Sequence, residues 1–412
     1  MERAMNRRRS IAIVGGGAAG CFAAANIKAL SPDTDVTIFE AGRKLLAKVA
    51  VTGGGRCNLT NTFRDIRNLE EAYPRGHRLM RRLFGRFNHE DTCKWLRDRG
   101  VRLVVQEDQC IFPESQDAME IVSCLTEAIL SSGVRVETGA RVTGIEPGWR
   151  IMTGNGDCGR TFDAVIVTTG GCTGSGWDGI FSGLGLEIST PVPSLFSVRV
   201  DDKDLKSLMG TVVEKVSVSI PRTKFRASGP LLITDWGMSG PAILKLSSYA
   251  ARFLAENEYR SSMIINWSGD SSVQETAEML GGISAANPRK QIVNAFPESF
   301  NSRLWEFLLS RTGINPDTRW QDAGARALNR IAERLHADEY FISGKNRFKA
   351  EFVTCGGVSL SEISPETLEC RKHPGLYFAG EVADVDAITG GFNLQAAWTM
   401  GYIAACSAVS GD

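Results

Sequence analysis

The sequence predicts an α/β fold: a parallel sheet with a glycine-rich turn, split by an inserted domain with a β part and a helical part. Three observations predict it. A strand–turn–helix–strand unit fills residues 10–40. Glycine clusters recur toward both ends of the 412 residues, at 15–20, 53–55, 170–185, 356–357 and 390–391. They are sparse from about 190 to 340, where short β runs give way to helical periodicity. The expected domains are therefore 1–190 joined with 341–412, and an insert over 191–340.

The first unit carries the sharpest signal. Ser10–Val14 is apolar and β-branched, as a buried strand is. Gly15-Gly-Gly17-Ala18-Ala19-Gly20 follows, then an alanine-rich helix to Leu30 and a second strand, Val36–Phe39, ending in Glu40 and Ala41. This is a dinucleotide fingerprint in its required context. Gly15 permits the tight turn, Gly17 leaves room for a pyrophosphate on the helix N–H groups, and Gly20 lets helix and strand pack closely. Glu40 suits ribose hydroxyls, and its charge disfavours a 2′-phosphate.

Residues 76–100 read as a helix, Val101–Val105 and Cys110–Pro113 as strands, and Met119–Leu130 as a helix. Val134–Glu137, Arg141–Ile145 (with Val142) and Arg150–Thr153 read as sheet strands. Phe162–Val167 runs into a small-residue turn, Thr168-Thr169-Gly170-Gly171. In the insert, 195–200, 211–220 and 230–234 read as strands and 271–337 as helical. Phe348–Thr354 returns as a strand.

Composition excludes several classes. Lys+Arg and Asp+Glu both number 47, which argues against a nucleic-acid or anionic-membrane binder. No apolar run is long enough to span a bilayer. Four glycines interrupt the stretch after the basic start Met1–Arg9, so a signal peptide is not expected there. The expectation is a cytoplasmic monomer with a short disordered start, acting on a small-molecule substrate. Ten cysteines make no CxxC pair, so no metal site is expected. Cys57 and Cys355, in glycine-rich loops, are the two to test for reactivity.

Two further motifs carry chemistry. Val51-Thr-Gly-Gly-Gly-Arg-Cys-Asn-Leu-Thr-Asn61 places Gly54, Gly55, Arg56, Cys57 and Asn58 in a polar loop suited to a phosphate or the polar edge of a flavin, with Lys44 and Lys48 just upstream. Near the C-terminus a strand ends in Gly380-Glu381, followed by Asp384 and Asp386. Gly390-Gly391-Phe392-Asn393-Leu394-Gln395 then opens a long helix. That N-terminus would favour the negative charge of a reduced isoalloxazine. Glu381 or Asp386 suits ribityl hydroxyls.

These segments resemble a widespread bacterial flavoprotein family, the NAD(P)/FAD-dependent oxidoreductases, some of whose members are called aminoacetone oxidases. Ile13–Gly20, Thr52–Asn61, Phe112–Ser115, Gly237–Pro241, Val353–Val358, Leu376–Glu381 and Thr389–Gln395 carry the likeness along the whole chain. The resemblance implies bound FAD in a Rossmann-like domain split by an inserted domain. Two segments depart from the family pattern. Thr234-Asp235 stands where a Thr-His pair is usual, and the turn Cys172–Asp178 lacks the usual Ser-x-Pro.

The expected function is hydride transfer between a small organic substrate and flavin. No second fingerprint is embedded in a strand, so NAD(P)H is expected only as a transient reductant. No catalytic base stands out; Asp235, Arg56 and Cys57 are the candidates. The alternatives are an NAD(P)H-dependent reductase of an unsaturated substrate, an NAD-binding dehydrogenase, and a non-enzymatic flavin-binding or RNA-associated protein.

Overall fold

The computed structural model describes residues 8–172, 176–177, 179–346 and 353–411. The basic start and most of the Cys172–Asp178 turn lie outside the described residues. The chain separates into two compact units, Met1–Val192 with Val353–Asp412, and Pro193–Phe352.

The first unit is built on a five-stranded parallel sheet. Its order is Leu376–Phe378, Ala164–Val167, Ser10–Val14, Asp35–Glu40, Arg135–Thr138. Ile11, Ala12 and Ile13 are wholly buried, as strands covered on both faces must be. In register, Val14 lies opposite both Val167 and Phe39. The turns after these strands therefore leave from one edge of the sheet. That carboxyl edge is where open α/β sheets bind ligands.

Two helices pack on the sheet, Ala18–Leu30 and Phe392–Ser410. The second is buried on nearly every side, so its sequence is apolar all round. The two helices touch closely: a Cβ on Gly401 would lie 2.6 Å from the Ala19 carbonyl oxygen. Phe22 fills the remaining space against Phe87, Trp95 and Trp398. The unit also holds two three-stranded antiparallel sheets, one of Thr60–Asn61, Cys110–Pro113 and Leu103–Val105, the other of Val142–Glu146, Arg150–Thr153 and Gly156–Thr161. The helix expected over 76–100 is two, His77–Phe84 and His89–Arg97. Asn88 breaks it, because its side chain caps the second helix in a reciprocal box with Asp91.

The second unit holds a closed six-stranded antiparallel barrel. Its strands run Val198–Val200, Gly237–Ser239, Arg226–Ile233, Val212–Ser219, Ser261–Asn266, Asp338–Lys345 and back to the first. Closure leaves no unpaired edge. Three of these strands, 237–239, 261–266 and 338–345, were not expected. Their Ser, Asn and Gly residues weaken the alternation that marks a strand. Helices of this unit, among them Val273–Ala286, Ser302–Ser310 and Trp320–His336, share one core with the barrel. Asp338 is fully buried there. It accepts hydrogen bonds from Trp267, Arg311, Arg334 and Tyr340.

Candidate active site

The site is built at the carboxyl edge of the parallel sheet. Gly15 has φ +109°, and a Cβ there would lie 2.5 Å from the Thr168 carbonyl oxygen. Only glycine suits that turn. A Cβ on Gly20 would overlap the Gly15 carbonyl oxygen, so helix and strand meet without a side chain between them. Gly17 is different: nothing lies within 4 Å of the position its Cβ would take. It faces open space at the N-cap of a helix with no acidic residue in its first turn. Ala18 is half-buried and Ala19 buried behind it.

Glu40 is already engaged by backbone. Its Oε2 accepts from the Gly16 N–H at 2.7 Å and its Oε1 from the Gly42 N–H at 2.6 Å. Ala41 and Lys44 are exposed beside it. The Ala140 N–H donates to the Glu40 carbonyl at 2.9 Å, which brings buried Val142 to the same end of the crevice.

A second cluster lies where Thr169, Gly170 and Gly171 leave the sheet. Glu381 Oε1 accepts from the Thr354 N–H at 2.6 Å, and its Oε2 lies 3.7 Å from Lys48 Nζ. Gly171 is packed against Thr354 Oγ1 and Glu381 Oε1, while a Cβ on Gly170 would sit 3.8 Å from Glu381 Oε2. Gly380, with φ +80°, precedes Glu381. Thr169 Oγ1 is buried with no hydrogen-bond partner.

The third cluster joins the two remaining motifs. Gly53, Gly54 and Gly55 are all left-handed, and Gly54 and Gly55 have nothing within 4 Å of their Cβ positions. Arg56 is exposed, with its guanidinium 4.6 Å over the Phe112 ring. Asn61 Nδ2 donates to the Gly390 carbonyl at 3.2 Å, and Trp398 Nε1 to the Leu59 carbonyl at 3.0 Å. Gly391 has φ +87°, and its Cβ would lie 2.7 Å from Asn58 Oδ1. That oxygen is buried and has no hydrogen-bond partner. Phe392 is buried, its ring 5.1 Å from that of Phe63, and Leu394 is half-buried. Asn393 latches the preceding loop: its side chain accepts from the Ala387 N–H and donates to the Ala387 carbonyl, both at 2.9 Å. Gln395 is wholly buried.

Three expectations need correction. Cys57 is no nucleophile: it is wholly shielded, and burial pushes its thiol up to about 12, against a smaller lowering by a bond to Thr52. Cys355 is likewise wholly buried. Asp386 does not offer its carboxylate to a ribityl chain, because both oxygens are held by Arg75. The remaining candidate, Asp235, is an exposed residue of the second unit. The sequence reading passed over Arg75, Tyr73 and Thr354. Arg75 and Tyr73 sit in a short connection with no periodicity or motif. Thr354 was quoted within a motif but acts through its backbone N–H.

Residues 9–407 match the family model described as HI0933-like protein Rossmann domain. The chain belongs to this family. It is an FAD-dependent oxidoreductase. The chain is 28% identical over 414 aligned positions to the 3-dehydro-bile acid delta(4,6)-reductase of Clostridium scindens, covering 97% of this chain and 98% of that one. It is 26% identical to the ribosomal RNA dihydrouridine synthase of Haemophilus influenzae, covering 96% and 97%. To the ribosomal RNA dihydrouridine synthase of Escherichia coli it is 27% identical, covering 95% and 96%. Among the described residues, no helix is long and apolar enough to cross a membrane.

Proposed function

We propose that this protein reduces a carbon–carbon double bond conjugated to a carbonyl group, using FAD and a visiting NAD(P)H. The observation that carries the cofactor half is the set of open glycines. Gly17, Gly54 and Gly55 face empty space while their neighbours Gly15 and Gly20 are tightly packed. A cradle of bare backbone suits a pyrophosphate at Gly17 and the flavin edge at Gly54–Gly55. Thr169 Oγ1 and Asn58 Oδ1 are buried polar atoms without a hydrogen-bond partner, and a polar ligand would satisfy both. The residues present therefore fit FAD.

In this reading the Gly17–Ala19 helix start holds the pyrophosphate and Glu40 the adenosine ribose. Glu381 and Lys48 flank the middle of the cofactor, and the Gly391–Phe392 helix start faces the pyrimidine end. When bound and reduced by the visiting NAD(P)H, the flavin would supply a hydride to the β-carbon of the substrate, with a proton from solvent completing the reduction at the α-carbon. The helix start would stabilise negative charge at the pyrimidine end.

The substrate class rests on what the names of the relatives share. A delta(4,6)-reductase of a 3-dehydro-bile acid and a dihydrouridine synthase both saturate a bond conjugated to a carbonyl. A small enone is the first reading. Uridine in ribosomal RNA is the second, favoured by the full-length similarity to two RNA-named enzymes.

The test begins with mass spectrometry of the released cofactor, where FMN alone or no flavin refutes the cofactor assignment. The protein is then reduced anaerobically with NADPH or NADH and mixed with cyclohex-2-enone, a steroid 4-en-3-one or a ribosomal RNA transcript. Flavin reoxidation by either enone supports the first reading; reoxidation by the transcript alone supports the second. Reduction of the flavin by simple amines, with no reoxidation by any of the three, overturns both.

A further inference from the structure

The equal totals of 47 basic and 47 acidic residues hide an uneven distribution in the first unit. Residues 64–86 hold seven arginines and three acids, Asp65, Glu70 and Glu71. The helix His77–Phe84 lies within this segment and is two-sided: Leu79, Met80 and Leu83 are buried. Arg78, Arg81 and Arg82 are exposed, at the i, i+3, i+4 spacing that sets side chains on one helical face. The chain keeps turning past Phe84, with the Phe87 N–H donating to the Leu83 carbonyl at 3.0 Å, so exposed Arg86 continues the same row. Arg81 Nη2 donates to Asn68 Oδ1 at 3.4 Å, which draws the loop of Arg64 and Arg67, both exposed, beside the helix. Glu366 restrains one end of the row: its carboxylate bridges Arg82, and its carbonyl accepts from Arg86 Nη1 at 2.6 Å. Both partners of that bridge are more than half exposed, a setting in which ion pairs are weak.

The same segment is fastened to the candidate active site. The Ile388 N–H donates to the Ala72 carbonyl at 2.9 Å, and the Tyr73 hydroxyl to the Phe392 carbonyl at 2.8 Å, at the start of the C-terminal helix. We infer that this arginine face is a docking surface for the phosphodiester backbone of RNA. The inference rests on the second reading above, uridine in ribosomal RNA, and gives that reading its surface. Guanidiniums offer planar, multi-donor contacts to phosphate oxygens. Such contacts position a strand without reading its bases. A small neutral enone has no charge for such a row to meet. No large hydrophobic side chain of residues 64–86 is exposed, so the face lacks the apolar anchors of a helix that lies on a membrane.

The experiment measures filter binding of the purified holoenzyme to a ribosomal RNA transcript over a series of KCl concentrations. The variant is Arg78→Gln/Arg81→Gln/Arg86→Gln; glutamine is a good helix former, and Arg82 keeps its bridge. Affinity for the transcript falls at least tenfold, and the slope of log K against log salt becomes shallower by about three, roughly one per lost phosphate contact. FAD content and thermal midpoint stay at wild-type values, which separates docking from folding. A control, Arg289→Gln/Lys290→Gln/Arg326→Gln, removes three exposed charges from the second unit and keeps most of the affinity. Wild-type affinity and slope in the first variant, or an equal loss in the control, overturns the inference. So does binding of the wild type to phosphatidylserine vesicles but not to the transcript, which would assign the face to a membrane. If the first variant loads no FAD, Arg78→Gln alone decides, with a slope shallower by about one. The underlying reading fails separately. Transcript that binds through this face yet leaves the reduced flavin unoxidised supports the docking surface and refutes uridine as substrate. Transcript that reoxidises wild type and first variant alike, with equal affinity, keeps the substrate and refutes the surface.

Discussion

Thr60 Oγ1 donates a 2.6 Å hydrogen bond to Gln395 Oε1, across 335 residues of chain. Gln395 passes the bond on to Thr399, whose hydroxyl donates to the Phe87 carbonyl. All three side chains are wholly buried. This relay fixes the glycine loop that ends at Asn58 against the helix that begins at Phe392. Its strength follows from burial, where an orphaned amide oxygen has no water to turn to.

Thr60→Val is therefore expected to cost about 1–3 kcal/mol of stability, the penalty of a buried acceptor left alone. Thr60→Ser keeps the donor and recovers most of it. Urea unfolding of the three proteins measures the difference. Equal midpoints for Thr60→Val and wild type would show that the relay is not cohesive.

Gly17 and Gly20 make opposite predictions from one motif. Gly17→Val has room for its side chain, and its backbone at φ −84° is accessible to any residue. It should fold with near wild-type thermal stability of the apoprotein and yet carry little FAD. Gly20→Val puts a side chain into the Gly15 carbonyl and should fail to fold. Thermal melts and flavin absorbance, read together, separate these outcomes; wild-type flavin content in Gly17→Val would show that the turn does not hold the pyrophosphate.

Cys57 should resist alkylation. With its thiol near 12, only about one molecule in ten thousand is a thiolate at pH 8, and the sulfur is shielded. Raising the pH through the native range increases that fraction tenfold per unit without making it large. Iodoacetamide mapping should label Cys57 only after unfolding, and Cys57→Ala should keep any turnover the wild type has. Native-state labelling of Cys57 at pH 8 would contradict the burial seen here.

In the second unit, Asp338→Ala leaves the Arg311 and Arg334 charges short of their shared partner and removes an acceptor from Trp267 and Tyr340. Removing one side of a buried charge network typically costs about 3–5 kcal/mol. Denaturant unfolding followed by tryptophan fluorescence tests this, since Trp267 reports from within the network. A loss under about 0.5 kcal/mol, the range of ordinary surface substitutions, would place Asp338 outside the barrel core.

The strand Ser10–Val14, its glycine turn and the acid Glu40 were legible because their rules are local. An apolar run, a turn only glycine suits and a strand-ending acid all fall within one supersecondary unit. The helix opening at Gly391 was legible for the same reason, and residues 9–407 carry a family pattern that such motifs suffice to identify. The motif's spacing already set Gly17 apart from Gly20, and the structure gives that difference its geometry: one Cβ position is empty and the other filled. Asp386 shows the limit most clearly. Its place in the acidic loop after Glu381 suggested a ligand for hydroxyls, but Arg75, 311 residues earlier, takes both of its oxygens. The weakly alternating strands Ser261–Asn266 and Asp338–Lys345 likewise acquire their identity by closing a barrel. Local sequence determines which short segments form and which turns they allow. The tertiary structure alone decides which charge meets which, because a buried charge is settled by whatever partner the fold brings within hydrogen-bonding reach.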